Sequence, residues 1–259
     1  MTFLLHHVDH WVKNLKLPGS KANIFYREAG SDTAPVMLLL HGFPSSSHQY
    51  RNLIPILAPK YHGFSYTSNA LAGVILEFLE ILSIKKYSVF IFDYGSPVGL
   101  RLALKNPDAV QSQIRELWTS NNDPAVRSKL AASLLSLEAT KWQYEEGTTG
   151  LVAPESYALD YALLQRPGQT EIQLDLFLDY QTNLKLYPQF HEYFRTSQVP
   201  LLAAWGRHDQ IFIPAGAEAF KQDLPKAEVH LLDAGHFAVE TDTAEIGALI
   251  LDFLARNGI

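Results

Sequence analysis

Residues 36–40 read Val-Met-Leu-Leu-Leu, a continuous apolar run that ends at His41-Gly42. A run of this length without polar alternation is typical of a strand buried on both faces of a parallel sheet. Further strand-like runs occur at 22–28, 87–92, 200–205 and 228–232. Helical periodicity is found between and after them, at 48–58, 68–84, 215–223 and 243–256. The alternation predicts an α/β fold, a mostly parallel sheet with helices on both faces.

A long helical block interrupts this alternation. It is rich in Leu, Tyr and Trp at helical spacing, and glycine and proline break it at Gly147, Gly150, Pro154 and Pro167-Gly168. A helical block between two α/β halves predicts a lid inserted into a single core. We therefore expect a core of residues 1–112 and 198–259 and a helical cap of residues 113–197.

Composition excludes several classes of function. The chain has 259 residues, a formal net charge of -6 and no cysteine. Disulfides, thiolate catalysis and cysteine-ligated metals are therefore excluded, and no clustered basic surface suggests a nucleic-acid partner. The N-terminus lacks a signal peptide, and no stretch reaches the roughly 18 apolar residues of a spanning helix. We expect a cytoplasmic protein with no membrane partner and no cofactor; its oligomeric state is left open.

Asp93 lies at a turn between a predicted strand and a predicted helix. The strand runs over 87–92, and Tyr94-Gly95-Ser96-Pro97 follow. Such a turn aims one side chain out from the carboxyl edge of the sheet, and a helix N-terminus favours a negative charge. The position suits a catalytic carboxylate, and it equally suits an ordinary helix-capping Asp.

Two further polar residues follow predicted strands. His236 comes just after the strand at 228–232, where a general base can reach the sheet edge. Asp209 follows the strand at 200–205 and could orient His236 and stabilise its cation. Taken singly, each could be an ordinary loop residue, but their order along the chain favours a catalytic set.

Backbone donors are predicted at two of these turns. His41-Gly42-Phe43-Pro44 follows the first buried run, and the N–H groups of Phe43 and Tyr94 could together face a developing negative charge. The same Gly-Pro sequence also suits a plain turn. The N-terminal His6, His7, Asp9 and His10 match no closed zinc pattern, so no metal site is predicted there.

The set resembles the α/β-hydrolase superfamily, and within it the branch of epoxide hydrolases and haloalkane or haloacetate dehalogenases. That branch has an Asp nucleophile where esterases have Ser, and no Gly-x-Ser-x-Gly surrounds Asp93. The resemblance covers 22–111 and 200–254. It implies Asp93 as nucleophile, Asp209 as acid and His236 as base, with Phe43 and Tyr94 as oxyanion or halide-side backbone donors. No metal is expected.

Two departures from the branch concern the substrate side of the site. The branch usually has Trp after the nucleophile, where this chain has Tyr94, and dehalogenases often have Asn where Phe43 stands. Both changes weaken a halide site, so the epoxide-hydrolase side is favoured. The resemblance also implies that a cap tyrosine protonates the epoxide oxygen. Tyr180 is favoured; the other candidates are Tyr144, Tyr157, Tyr161, Tyr187 and Tyr193.

Two core strands of the resembled fold are predicted to be missing. No apolar run occurs between Pro59 and Tyr66, and after Ser112 the chain passes directly into the helical pattern of 113–117. Loss of a strand between those of Asp93 and Asp209 would move them relative to each other by about 4.8 Å. Catalytic contacts do not tolerate such a shift.

The function that these residues indicate is hydrolysis of a small, largely apolar organic substrate through an aspartyl ester, at an epoxide or a carbon–halogen bond. Two other enzyme functions stay open: a biosynthetic cyclase or lyase, and an ester or lactone hydrolase on the same fold. The third alternative is an inactive or truncated isoform, or a non-catalytic binding protein, since two strands are predicted to be absent.

Overall fold

The computed structural model describes residues 11–66, 72–96, 117–148 and 152–259. The chain divides into two compact units, Met1–Gly99 with Gly247–Ile259, and Leu100–Ile246. Strands and helices alternate in the first unit and in the last third of the second, as the apolar runs predict. The histidines at positions 6, 7 and 10 lie outside the described residues.

The first unit is built on a five-stranded sheet. Its strands are β1 (Trp11–Lys16), β2 (Asn23–Ala29), β3 (Val36–Leu40), β4 (His62–Tyr66) and β5 (Ser88–Ile91). The strand order is β1-β2-β4-β3-β5. Strand β3 runs parallel to both β4 and β5, whereas β2 is antiparallel to β1 and β4. The apolar run therefore forms a strand paired on both edges.

The core of this unit surrounds β3, whose residues Met37–Leu40 are at most 3% exposed. The helical elements are a 3-10 turn (Ser47–Tyr50), α1 (Ile54–Leu57) and α2 (Ala72–Ile81). Phe78 of α2 packs edge-on against Tyr26 with ring centroids 5.2 Å apart. Burial of this continuous apolar surface is the main stabilising term for the sheet.

The predicted absence of a strand between Pro59 and Tyr66 is wrong, because β4 occupies this stretch. Its backbone pairs with β2 on one side and with β3 on the other. Gly30, at φ +107, ends β2 directly against Tyr61, and a Cβ there would lie 2.2 Å from the Tyr61 carbonyl oxygen. Pairing on both edges thus selects a strand in a sequence with no apolar run. The second strand predicted to be missing, after Ser112, falls outside the described residues.

The described part of the second unit begins with helices. They are α3 (Pro124–Leu134), α4 (Leu137–Glu145), α5 (Pro154–Leu164), α6 (Gln169–Asp179) and α7 (Gln181–Ser197). Asp123 caps α3 through the N–H groups of its first turn, and Ser136 caps α4. The predicted breaks at Gly147 and Gly168 have positive φ, +67 and +81. The division into core and cap stays a prediction.

Two parallel strands follow these helices in the second unit. They are β6 (Leu202–Gly206) and β7 (Glu228–Leu232), paired in register from Leu202↔Glu228 to Gly206↔Leu232. The other elements of this unit are α8 (Ala215–Ala219), a 3-10 turn (Phe220–Gln222) and α9 (Ala238–Thr241), and α10 (Thr243–Arg256) starts in it and ends in the first unit. In the part of the chain that the structure describes, no helix is long and apolar enough to cross a membrane.

Candidate active site

Asp93 lies on a sharp turn directly after β5. The strand end is fixed by the N–H of Phe92, which donates to the carbonyl of Leu40 across 3.0 Å. Asp93 itself has φ +47, in the left-handed region that is costly for a residue with a Cβ. An ordinary N-cap residue has extended dihedrals instead. The backbone therefore distinguishes Asp93 from a simple helix cap.

Two glycines allow the backbone to close around this turn. A Cβ at Gly95 would lie 2.3 Å from the carbonyl oxygen of Leu40, and a Cβ at Gly42 would lie 2.2 Å from the Cβ of Asp93. Both distances are shorter than any real contact, so only glycine fits either position. The His41-Gly42 loop and the Asp93 turn are thus in direct contact.

The carboxylate of Asp93 accepts a hydrogen bond from the predicted backbone donor of that loop. The N–H of Phe43 donates to Oδ1 of Asp93 across 2.7 Å. The Phe43 and Tyr94 rings meet edge-on, with centroids 6.5 Å apart. Ser45 supports the loop, because its hydroxyl contacts the Gly42 carbonyl at 2.9 Å and the Gln49 side chain at 2.7 Å. The Phe43 N–H thus lies against the Asp93 carboxylate, and its role as an oxyanion donor stays a prediction.

A tyrosine that sequence reasoning missed lies beneath this turn. Tyr50 is fully buried, and its hydroxyl donates to the Leu40 carbonyl across 2.7 Å. Burial raises the pKa of Tyr50 well above its usual value, and the negative charge of Asp93 raises it further. Tyr50 is therefore a neutral donor that holds the end of β3.

In the second unit, the structure brings Asp209 and His236 together. Nδ1 of His236 lies 3.0 Å from Oδ2 of Asp209, and the two side chains are 2% and 5% exposed. The other carboxylate oxygen of Asp209 accepts from the N–H groups of Ile211 and Phe212, both at 2.8 Å. A carboxylate only accepts, so Nδ1 carries a proton, and in the neutral imidazole Nε2 then presents a lone pair. This tautomer is the one that a general base requires.

Strands β6 and β7 position this pair. Their backbone pairing continues into the loops, where the N–H of His208 donates to the carbonyl of Ala234 across 3.0 Å. A Cβ at Gly206 would lie 2.0 Å from the carbonyl oxygen of Gly235. The loops that carry Asp209 and His236 therefore approach each other as closely as two backbones can.

Aromatic rings surround the imidazole of His236. Phe212 lies 5.2 Å from it between centroids, and Phe237 lies 5.3 Å away, edge-on. Tyr144 in turn stacks on the Phe237 ring, with the two centroids 3.7 Å apart and an interplanar angle of 14°. No sequence signal connects Tyr144 to the surroundings of His236, because the contact between Tyr144 and Phe237 joins segments about ninety residues apart.

The candidate tyrosines differ in their surroundings. Tyr180, at the junction of α6 and α7, is half-buried and stacks on Trp118 with ring centroids 6.4 Å apart. Tyr144 is 1% exposed and its hydroxyl donates to Asp160, whereas Tyr193 is 37% exposed. The role of Tyr180 as an acid stays a prediction. Among residues 11–66, 72–96, 117–148 and 152–259, no cluster of three or more metal-ligating side chains occurs.

Comparison with known proteins supplies the family. A model of the alpha/beta hydrolase fold matches residues 116–243. An uncharacterized hydrolase of Saccharomyces cerevisiae, YNR064C, is 42% identical over 272 aligned positions, which cover 90% of this chain and 94% of that protein. Since 90% of 259 residues is about 233, about 39 of those positions have no counterpart in this chain.

Solved structures show the same architecture. The haloalkane dehalogenase DbeA from Bradyrhizobium elkani USDA94 gives a TM-score of 0.73 at 19% identity, covering 96% of this chain and all of the other (100%). The epoxide hydrolase VrEH1 from Vigna radiata gives 0.71 at 17% identity, covering 95% and 98%. At these identities the likeness concerns the fold alone, and the predicted fold is confirmed.

Proposed function

The chain belongs to the α/β-hydrolase family, and we propose that it hydrolyses epoxide or carbon–halogen bonds of small, largely apolar molecules through an ester on Asp93. The observation that carries this proposal is the hydrogen bond from the Phe43 N–H to Oδ1 of Asp93, at 2.7 Å. A donor already fixed on one carboxylate oxygen leaves the other, Oδ2, to attack. Asp209 and His236 complete the proposed catalytic set.

The first step is alkylation of Asp93. Carboxylates are ionised at neutral pH, so Oδ2 attacks the substrate carbon without a base. As the new carbon–oxygen bond forms, the carbon–halogen bond breaks and the halide leaves. With an epoxide, the ring carbon–oxygen bond breaks and the oxygen takes a proton from an acid, for which we propose Tyr180 in a cap formed by residues 113–197.

The second step is hydrolysis of the ester. Nε2 of His236 takes a proton from water as the water oxygen adds to Cγ of Asp93. Negative charge develops on Oδ1, where the Phe43 N–H, with the Tyr94 N–H as the proposed second donor, stabilises it. The intermediate then collapses, the alcohol oxygen takes the proton from His236, and the carboxyl of Asp93 ionises. Its proton goes to solvent after a halide has left, or returns to Tyr180 after an epoxide has opened. Asp209 stabilises the imidazolium in between.

The choice of Asp93 as nucleophile is supported by its backbone. Its φ of +47 costs on the order of 1–3 kcal/mol, and two glycines are required to accommodate the turn. Strain of this kind is maintained where it aims a side chain at a substrate. The edge-on Phe43 and Tyr94 rings add apolar surface beside it, which suits an apolar substrate.

The test is to trap the ester. His236→Ala protein is incubated with styrene oxide or 1-bromobutane, digested, and the Asp93 peptide weighed by mass spectrometry. We expect a peptide heavier by the alkyl group added, because alkylation does not need His236 whereas hydrolysis does. An unmodified peptide from both probes, in a chain whose wild type turns them over, would overturn the proposal.

Two variants serve as controls for this experiment. Asp93→Asn removes the nucleophile, so its peptide stays unmodified and its turnover is lost. His208→Ala removes a histidine that is not part of the proposed catalytic set. Its side chain is half-exposed and lies 2.7 Å from that of Asp233. We expect His208→Ala to turn over substrate without accumulating the ester.

A further inference from the structure

The C-terminal end of α4 and the residues after it contact both neighbours of His236. Tyr144 stacks on Phe237 with ring centroids 3.7 Å apart. On the other side of His236, the backbone of Gly235 lies against Glu146, since a Cβ there would be 1.8 Å from the Glu146 carbonyl oxygen. The base is thus flanked on both sides by one short segment, residues 144–147.

The same segment also contacts both neighbours of Asp209. The N–H of Gln210 donates to Oε2 of Glu146 in a long hydrogen bond of 3.4 Å. Gly147, at φ +67, lies against His208, and a Cβ there would be 2.4 Å from the His208 carbonyl oxygen. Residues 144–147 therefore contact the residue before and the residue after each member of the acid–base pair.

Tyr144 is itself held rigidly. It is 1% exposed, and its hydroxyl donates to Asp160 of α5, also 1% exposed. The Tyr157 ring meets it edge-on at 6.2 Å. A buried carboxylate is costly unless it is hydrogen-bonded, and two apolar side chains would fill this space more cheaply. The pair gives the Tyr144 ring one orientation, which apolar packing alone would not fix.

We propose that Tyr144, anchored by Asp160, is a positioning residue that sets the orientation of His236 through the stacked ring of Phe237. This inference rests on the proposed function, in which His236 acts only in ester hydrolysis. In that scheme, Tyr144 takes no part in the alkylation of Asp93. Its removal should therefore slow the second step and spare the first.

The two steps separate in a single-turnover experiment with excess enzyme and either styrene oxide or 1-bromobutane. Ester on the Asp93 peptide is followed by quenching and mass spectrometry, giving a rate of formation and a rate of decay. We expect Tyr144→Leu to slow the decay about 10- to 100-fold, the effect of a displacement of roughly 1 Å, with formation unchanged within about twofold. The enzyme is used at a concentration that saturates the rate of ester formation, so that both rates are first-order and partial unfolding does not alter them.

Two variants complete the comparison. Tyr144→Phe keeps the ring on Phe237 and loses the bond to Asp160, so its decay rate should lie between those of the wild type and Tyr144→Leu. Trp142→Leu, on the same helix and 48% exposed, should keep both wild-type rates. Decay at the wild-type rate in Tyr144→Leu, or equal slowing of both steps, would contradict the positioning role.

A spectroscopic measurement tests the inference without any substrate. The Nδ1 proton shared by His236 and Asp209 should give a low-field proton resonance, assigned by its absence in His236→Ala. We expect this resonance to broaden by faster exchange with water in Tyr144→Leu and to persist in Trp142→Leu. If it is unchanged in Tyr144→Leu, the inference fails. Absence of any ester in His236→Ala, with this resonance sensitive to Tyr144, would contradict the proposed function alone.

Discussion

The N–H of Phe43 donates to Oδ1 of Asp93 across 2.7 Å, between residues fifty positions apart in the sequence. In the proposed mechanism, this donor faces the negative charge that develops when the ester on Asp93 is hydrolysed. It also fixes the plane of the carboxylate before substrate arrives, so the attacking oxygen is defined. Substitutions near this hydrogen bond, at the Asp209–His236 pair and in the core should therefore act separately on ester formation, ester hydrolysis and stability.

Gly42→Ala should impair ester formation. The added Cβ would lie 2.2 Å from the Cβ of Asp93, so the carboxylate or the Phe43 loop must move. A displacement of about 1 Å costs on the order of 100-fold in rate, measured as the rate of ester formation in the His236→Ala background. The matched control is Gly73→Ala, which has open space in α2 and should leave the rate unchanged. A wild-type rate in Gly42→Ala would contradict the contact.

Asp209→Asn should slow hydrolysis without slowing alkylation. The amide oxygen still accepts from Ile211 and Phe212, but the amide N–H₂ then faces Nδ1 of His236. Nδ1 must accept, so the proton moves to Nε2 and the lone pair of the base is lost. We expect ester decay to fall about 10³- to 10⁴-fold, with formation kept, in the single-turnover assay. Equal loss of both steps would show that Asp209 has a structural role instead.

Tyr50→Phe should lower stability and leave the chemistry intact. The variant keeps the buried ring and loses one hydrogen bond to the Leu40 carbonyl, which still accepts from Phe92. We expect the free energy of unfolding to fall by about 0.5–1.5 kcal/mol in urea titrations. Tyr193→Phe, at an exposed position, should change it by less than about 0.5 kcal/mol. A large loss of ester formation would instead place Tyr50 in the catalytic machinery.

Acid should weaken the attachment of α7 to the segment after α8. Burial raises the pKa of Asp223, but hydrogen bonds from His191 and Arg195 outweigh it and hold the pKa below the usual 3.8. A lowered pKa contributes stability that is present above pH 3.8 and is lost as the pH falls through the lower, folded-state pKa.

Asp223→Asn removes this contribution. Its melting temperature should lie below that of the wild type at neutral pH, and the difference should shrink as the pH falls below 3.8. The control is Asp252→Asn, which breaks an exposed ion pair with Arg256. It should lower the free energy of unfolding by at most about 0.5 kcal/mol. A difference between Asp223→Asn and wild type that is constant with pH would contradict the account.

Local patterns were sufficient for the elements that are continuous and apolar. The runs at 36–40 and 228–232 coincide with β3, which is almost fully buried, and with β7, which is mostly half-buried. The turn residues placed Asp93, Asp209 and His236 after strands, and the parallel pairing of β6 and β7 then brings the last two together.

Other features depend on contacts that no local pattern contains. β4 is a strand because β2 and β3 pair with it, although its own sequence, His-Gly-Phe-Ser-Tyr, has no continuous apolar run. The predicted helix at 48–58 is a 3-10 turn followed by the short α1, since Arg51–Leu53 form a turn between them. The stacking of Tyr144 on Phe237 likewise requires tertiary structure.

The most direct test of the aspartyl ester is the fate of the water oxygen. In a single turnover with excess wild-type enzyme in ¹⁸O-labelled water, the ester mechanism transfers an oxygen of Asp93 to the product and leaves the label in the carboxylate. We predict unlabelled oxygen at the newly hydroxylated carbon and ¹⁸O in the Asp93 peptide. Labelled product with an unlabelled Asp93 peptide would show direct attack by water and would contradict the role of Asp93 as nucleophile.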